Sequence, residues 1–473
     1  MNRYRMLRVT FVFALLAASL SFVACSDNNN NNTEKTDTDG GTQKEGSTDN
    51  YPEGVECKDK VCTLTGVITE SFKMTADKQW ILSGGVFIGD DKAETVLTIE
   101  AGTKIYGETA TIPGTLIIRR HSKIMAVGTK DAPIVFTSSK AAGSRARGDW
   151  GGVVINGLAK INPCDAGTSP CEALGEGAGK DGTGYYGGDK DDDNSGELKY
   201  VRVEFAGRTF GEKNELNGIA FQGVGSGTKI SYIQVHMNKD DGVEFFGGTA
   251  NFKYVLLTGI GDDNLDWTQG WRGKGQFLIA QQYDDAGDNG IEADNNDNSK
   301  DAAPRSKPML SNLTLIGSPN SEKSDLGMLL REGTAANISN AIVIGWNEAC
   351  VAIDHTETFK NASSDGTSLT GELTLTNSYA NGCGKLAKEP GSDVTASFKV
   401  EDFFGTLNAD NKTDDPMLTD PFNMTAPNFM PKSGSPVLTG AKIPSDSFFD
   451  KVDFIGGMGT EDWTKGWTTA AKN

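Results

Sequence analysis

Four short β-forming runs recur along this chain at nearly equal steps. They are Leu97-Thr98-Ile99, Leu116-Ile117-Ile118, Ile134-Val135-Phe136 and Val153-Val154-Ile155, spaced 19, 18 and 19 residues apart. A stacked solenoid keeps such a rhythm, because each coil adds one rung to every sheet. A second series follows at Tyr232-Ile233, Val255-Leu256, Phe277-Leu278, Leu313-Thr314-Leu315, Ile342-Val343-Ile344 and Leu373-Thr374-Leu375. No long segment shows a helical period. The spacing predicts an all-β parallel solenoid.

One phrase repeats three times within the second series: Asp241-Gly242-Val243-Glu244-Phe245, Asp263-Asn264-Leu265-Asp266-Trp267 and Asn289-Gly290-Ile291-Glu292-Ala293. Alternation with period two turns the apolar pair inward and the carboxylate outward. The steps of 22 and 26 residues match one coil. Stacking would then align Glu244, Asp266 and Glu292 in a solvent-facing column. Neighbouring strands lie about 4.8 Å apart, and two carboxylates at that distance repel by roughly 3 kcal/mol at an effective dielectric near 20. Between Lys239 and Asp301 there are 13 acidic residues and 5 basic ones, so local lysines and arginines cannot neutralise the column. Hard oxygen ligands in this arrangement suit Ca²⁺; protonation is the alternative, and a solvated acidic face is the plainer reading. The expected metal set is Asp240, Asp241, Glu244, Asp262, Asp263, Asp266, Glu292 and Asp294. Trp267 and Trp271 lie beside it in sequence, and aromatic faces beside an ion suit sugar binding; Trp271 sits in a turn expected to be exposed, whereas Trp267 alternates inward with Leu265 and reads equally as core.

The chain has 473 residues and a formal net charge of −19, which argues against nucleic acid as a partner. Its three histidines lie far apart and form no zinc-like cluster with cysteine. No nucleophile elbow, phosphate loop or dinucleotide fingerprint is present. Cysteines 57, 62, 164, 171, 350 and 383 form an even set, which in an exported protein suggests disulfides. Neighbour pairing gives Cys57–Cys62, Cys164–Cys171 and Cys350–Cys383, although six cysteines allow other pairings.

Residues 1–24 read as a secretory signal, with Arg3, Arg5 and Arg8 before an apolar run. Its end, Phe22-Val23-Ala24-Cys25, resembles a bacterial lipobox, with Phe22 where leucine is usual. The resemblance implies cleavage before Cys25 and lipid on that cysteine; Ser26 implies sorting to the outer membrane, on its periplasmic or cell-surface face. Residues 25–55 read as a polar tether, and 56–384 as the solenoid. Residues 160–196 read as an inserted acidic loop whose run Asp189–Gly196 loosely suggests a calcium loop. Residues 385–473 read as a C-terminal cap with aromatics laid over the last coil. A monomer is expected.

The run Leu97–Ile105, the segments Ala126–Thr129 and Pro133–Ser138, Gly148-Asp149-Trp150-Gly151-Gly152, Asn217-Gly218-Ile219, Asp240–Thr249 and the ending Ser433–Leu438 together resemble a family of bacterial surface lipoproteins. That resemblance covers nearly all of residues 60–473 and implies a right-handed parallel β-helix. Asp240-Asp241-Gly242-Val243-Glu244-Phe245-Phe246 also resembles a calcium-binding stretch of some β-helical polysaccharide lyases. Asp240, Asp241 and Glu244 would then hold the metal, with Glu244 where those lyases have aspartate. In such lyases the ion binds a uronate carboxylate and a lysine or arginine removes the C5 proton. Arg272, Lys274 and Arg331 are the candidate bases, and none sits in a lyase base motif. Aligning Leu326–Arg331 with Asn289–Asp294 sets Arg331 opposite Asp294, so ion pairing is the plainer role. The expected function is a lipid-anchored β-helix that binds glycan or a protein partner, with Ca²⁺ on its acidic face; a calcium-dependent uronate lyase and an inert spacer are the alternatives.

Overall fold

The computed structural model describes residues 51–473 except 178–183, 212–213 and 409. The expected signal segment, Cys25 and most of the tether lie outside the described residues. Nearly all the strands join one parallel array, wound as a right-handed parallel β-helix. The array opens on an antiparallel hairpin, Val55–Lys58 with Val61–Ile68, stapled by Cys57–Cys62. Disulfides Cys164–Cys171 and Cys350–Cys383 complete the neighbour pairing; the last joins strand Ala349–Ile353 to the segment after Tyr379–Asn381.

The even 18–19-residue step is not the coil repeat. Leu116 stacks between Val86 and Val153, Leu97 between Phe72 and Ile124, and Ile134 against Val201. Each coil carries strands on three faces, and the regular runs are scattered over these faces, with other strands between them, so that only Leu116 and Val153 among them stack on each other. In the second series the stacking does follow the sequence: Ile233, Val255, Leu278 and Leu313 are register partners in turn. Here two faces are joined within single long strands that bend at one residue. The bend residues Tyr200, Tyr232, Tyr254, Phe277, Asn312 and Asn340 all have positive φ. They stack into a ladder, with ring centroids 4.4, 4.5 and 4.7 Å apart from Tyr200 to Phe277. Offset rings at that spacing are favourable contacts, and the continuous apolar interior supplies the rest of the driving force.

Residues 385–473 are only in part a cap. Phe398, Val400, Phe403 and Phe404 close the end of the core with the short helix Thr356–Ala362. The remaining chain runs back along the flank as a strap over the bend ladder. Asn340 Nδ2 donates to the Lys442 carbonyl, Gln276 Nε2 to Asp450, Gln234 Nε2 to Thr469, and Trp463 and Trp467 pack edge-on against Tyr254 and Tyr232. The reason is polar satisfaction. Buried Asn and Gln side chains at the bends need partners, and the strap's backbone carbonyls provide them.

Candidate metal centre

Strands Val243–Phe246, Leu265–Thr268, Ile291–Ala293 and Leu326–Leu330 lie in register on one face. Glu244 pairs with Asp266, Asp266 with Glu292, and Glu292 with Leu329. The flanking Val243, Phe245, Leu265, Trp267, Ile291 and Ala293 fill the core. Glycine in the repeated phrase has a steric cause: a Cβ on Gly242 would lie 2.6 Å from the Asn264 carbonyl oxygen of the next coil.

The column does not stand open to solvent as the sequence suggested. Asp241 and Glu244 are each only 7% exposed. The insert lies over this face: Tyr186 is buried against Phe246, with ring centroids 6.3 Å apart, and its hydroxyl reaches Gln269. Asn217 Nδ2 donates to Glu244 Oε2 at 2.6 Å and to Glu176 Oε2 of the insert at 3.3 Å.

The carboxylates fall into three overlapping groups: Asp240, Asp241 and Asp262; Asp241, Glu244 and Asp266; Asp262, Asp263 and Asp288. In each group one oxygen per residue lies within 4.8 Å of the others. Calcium bonds of 2.3–2.6 Å place ligands up to about 5 Å apart across one ion, so the groups fit. Asp241 and Asp263 also stitch coils, each accepting a backbone N–H from the next coil, Asp263 N at 3.0 Å and Asn289 N at 2.7 Å. That leaves their second oxygens for another partner. Asp266 Oδ1, Asn217 Oδ1, Asn238 Oδ1 and Asn289 Oδ1 are buried with no hydrogen-bond partner among the described residues.

Burial, then mutual repulsion, lifts the proton affinity of the whole set. Asp241, Glu244, Asp263 and Asp266 are pushed well above the ordinary carboxylate range. Asp240 is pushed up to about 7, Asp288 to about 6 and Glu176 to about 8, in each case first by burial and then by neighbouring carboxylates. Arg331 closes one end of the row. Its Nε donates to Asp294 at 2.9 Å and its terminal nitrogen to Glu292; burial still pushes Glu292 up to about 7 against that attraction.

Of the eight expected ligands, six fall in the three groups, and Asp288 joins them. Glu292 and Asp294 are engaged by Arg331. Reading the sequence missed Glu176, Asn217 and Glu215, which adds to the repulsion on Asp240. Asn217-Gly218-Ile219 repeats the phrase and could have placed Asn217; nothing in the sequence of the insert points to Glu176.

The aromatic expectation is corrected. Trp271 is fully buried, stacked on Phe245 with centroids 4.1 Å apart, its Nε1 donating to Ala250. Its turn folds inward to fill the coil, and Trp267 is likewise core. Neither offers a face to a sugar. Trp271→Ala should cost about 3–5 kcal/mol, read as a lower urea midpoint with an unchanged slope.

The three candidate bases are all ion-paired. Arg272 holds Asp191 through two bonds of 3.1 and 2.9 Å. Lys274 belongs to another face, in strand Lys274–Gln281, and pairs with Asp446 of the strap at 2.6 Å. The loosely calcium-like run staples the insert: Asp191 takes Arg272, and Asp193 accepts from Leu158 N and Ser195 Oγ.

Residues 66–468 match the family described as a pectate-lyase-like β-helix domain. The chain belongs to that family. Comparison with curated proteins found no match. Within this pectate-lyase-like β-helix, the acid row occupies one sheet face, closed by Arg331 at one end and with Lys239 beside Asp240 at the other.

Proposed function

We propose that the chain is a lipid-anchored outer-membrane β-helix, tethered through Cys25, whose acidic face holds Ca²⁺ and binds an anionic glycan or protein partner. The observation that carries this reading is the group of Asp241 and Glu244, both buried, with the half-buried Asp266, their oxygens within 4.8 Å and unpartnered polar atoms beside them. Charges so placed need a counter-charge or protons. Asp240, Asp262, Asp263 and Asp288 would hold further ions along the same row, and bound Ca²⁺ would supply positive charge to bridge ligand carboxylates. The family favours a polysaccharide-related ligand over others.

The same family membership raises a second reading, a calcium-dependent uronate lyase. Arg331 is the base candidate that stands beside the carboxylates. Burial works against its charge, but Asp294 and Glu292 outweigh that and hold its pKa above the usual arginine range. A guanidinium so held does not accept a proton, which favours binding over cleavage.

The test uses the full chain and a uronate polymer with Ca²⁺. Retention that disappears in chelator, with no unsaturated product by ultraviolet absorbance, is the expected outcome. Product that vanishes both in chelator and in Arg331→Ala establishes the lyase instead. Failure of calorimetry to detect any Ca²⁺ binding removes both readings.

A further inference from the structure

We propose that Glu176 of the insert is a further ligand of the cation held by Asp241, Glu244 and Asp266, so that the ion clamps the insert onto the acidic face. This rests on the reading that the carboxylate group binds a divalent cation.

The geometry starts from Asn217, which is 2% exposed. Its single Nδ2 touches carboxylates from two separate parts of the fold, Glu244 on the sheet and Glu176 on the insert. The two oxygens therefore lie no more than about 6 Å apart, somewhat beyond the roughly 5 Å across one calcium ion; Glu176 is outside the 4.8 Å group and would join it by a small inward shift of its side chain. The partner atom, Asn217 Oδ1, is buried without a hydrogen bond. A neutral amide donor between two carboxylates leaves their like charge uncompensated, and Asp240 and Glu215 add to it at Glu176.

A second observation comes from Gln222. It is fully buried beneath the insert, and neither side-chain atom has a partner. It abuts Gly175, where a Cβ would lie 1.7 Å from Gln222 Oε1. The turn carrying Glu176 is thus seated directly on the sheet beside the cation group. Buried polar groups left unpartnered cost free energy, so a polar partner at this contact between insert and sheet would offset a cost that Gln222 and Asn217 Oδ1 carry without it.

The rest of the insert is held apart from this point. Apolar packing of Ile161, Cys171 and Tyr186 with Leu216, Ala220 and Phe246 fixes one side, and the Asp191–Arg272 pair fixes its end. At Glu176 itself the neighbouring carboxylates supply repulsion, which the Asn217 amide bridges without neutralising. A divalent cation reverses the sign of that local interaction.

The experiment is hydrogen exchange on the full chain, with Ca²⁺ alone as probe against chelator, beside calorimetry on wild type, Glu176→Gln and Glu244→Gln. Calcium is expected to slow exchange in peptides covering 171–177 and 184–190 by about tenfold or more. Glu176→Gln should weaken Ca²⁺ binding by roughly tenfold and abolish that protection, whereas Glu244→Gln should remove most of the binding. Unchanged exchange, or Glu176→Gln with wild-type affinity and protection, overturns the clamp while leaving the cation reading intact. Absence of Ca²⁺ binding in wild type overturns both. The wild-type exchange comparison decides the matter even if a variant folds poorly.

Discussion

In chelator, the protein should melt at a lower temperature at pH 8 than at pH 5, and millimolar Ca²⁺ should reverse most of that loss at pH 8. The sign follows from the raised proton affinities. Glu176 stands at about 8, Asp240 and Glu292 at about 7 and Asp288 at about 6 in the folded chain, against ordinary values near 4 when unfolded. Between pH 4 and pH 8 the folded state therefore binds more protons than the unfolded one. Stability then falls as pH rises through that window; it is fully present below the unfolded values and lost on passing the folded ones. Each tenfold gain in proton affinity corresponds to about 1.4 kcal/mol, so several such groups outweigh a typical single substitution even with their coupling discounted. Calcium acts on the same carboxylates in place of protons. At a hundred times its dissociation constant one site contributes about 2.7 kcal/mol. A melting temperature flat in both pH and Ca²⁺ would show that the row is compensated some other way.

The fold was legible because a β-helix repeats one physical pattern: an apolar pair inward, a polar residue outward, one strand per face. The phrase at 241–245, 263–267 and 289–293 carries that pattern with its register, and the structure keeps it. The 18–19-residue rhythm before it misled because turns of unequal length let runs on different faces look evenly spaced. The strap was illegible for another reason. Its contacts with Gln234, Gln276 and Asn340 run through backbone carbonyls, which leave no side-chain signature. Trp271 was misjudged because a glycine-flanked turn reads as surface, whereas here it folds the ring onto Phe245. The acid row was visible and its covering was not, since shielding comes from residues 160–196, far away in sequence. Glu176 entered the site by that route alone.

Glu244→Gln separates a cation site from an acidic face kept for structure. Glutamine keeps the shape of the side chain and can still accept from Asn217 Nδ2, the 2.6 Å bond that glutamate makes. What it removes is one buried negative charge from a group whose oxygens lie within 4.8 Å, a repulsion of roughly 3 kcal/mol per close pair at an effective dielectric near 20. In chelator at pH 8 the variant should therefore melt higher than wild type, by about 3 °C or more. In millimolar Ca²⁺ the order should invert, because the variant has lost a ligand. Arg331→Gln should do the reverse in chelator and melt lower, since it strips Glu292 and Asp294 of their only close cation among the described residues. If Glu244→Gln melted lower in both conditions by the same amount, its carboxylate would be serving the fold alone, and the carboxylate row would hold the coils together without an ion.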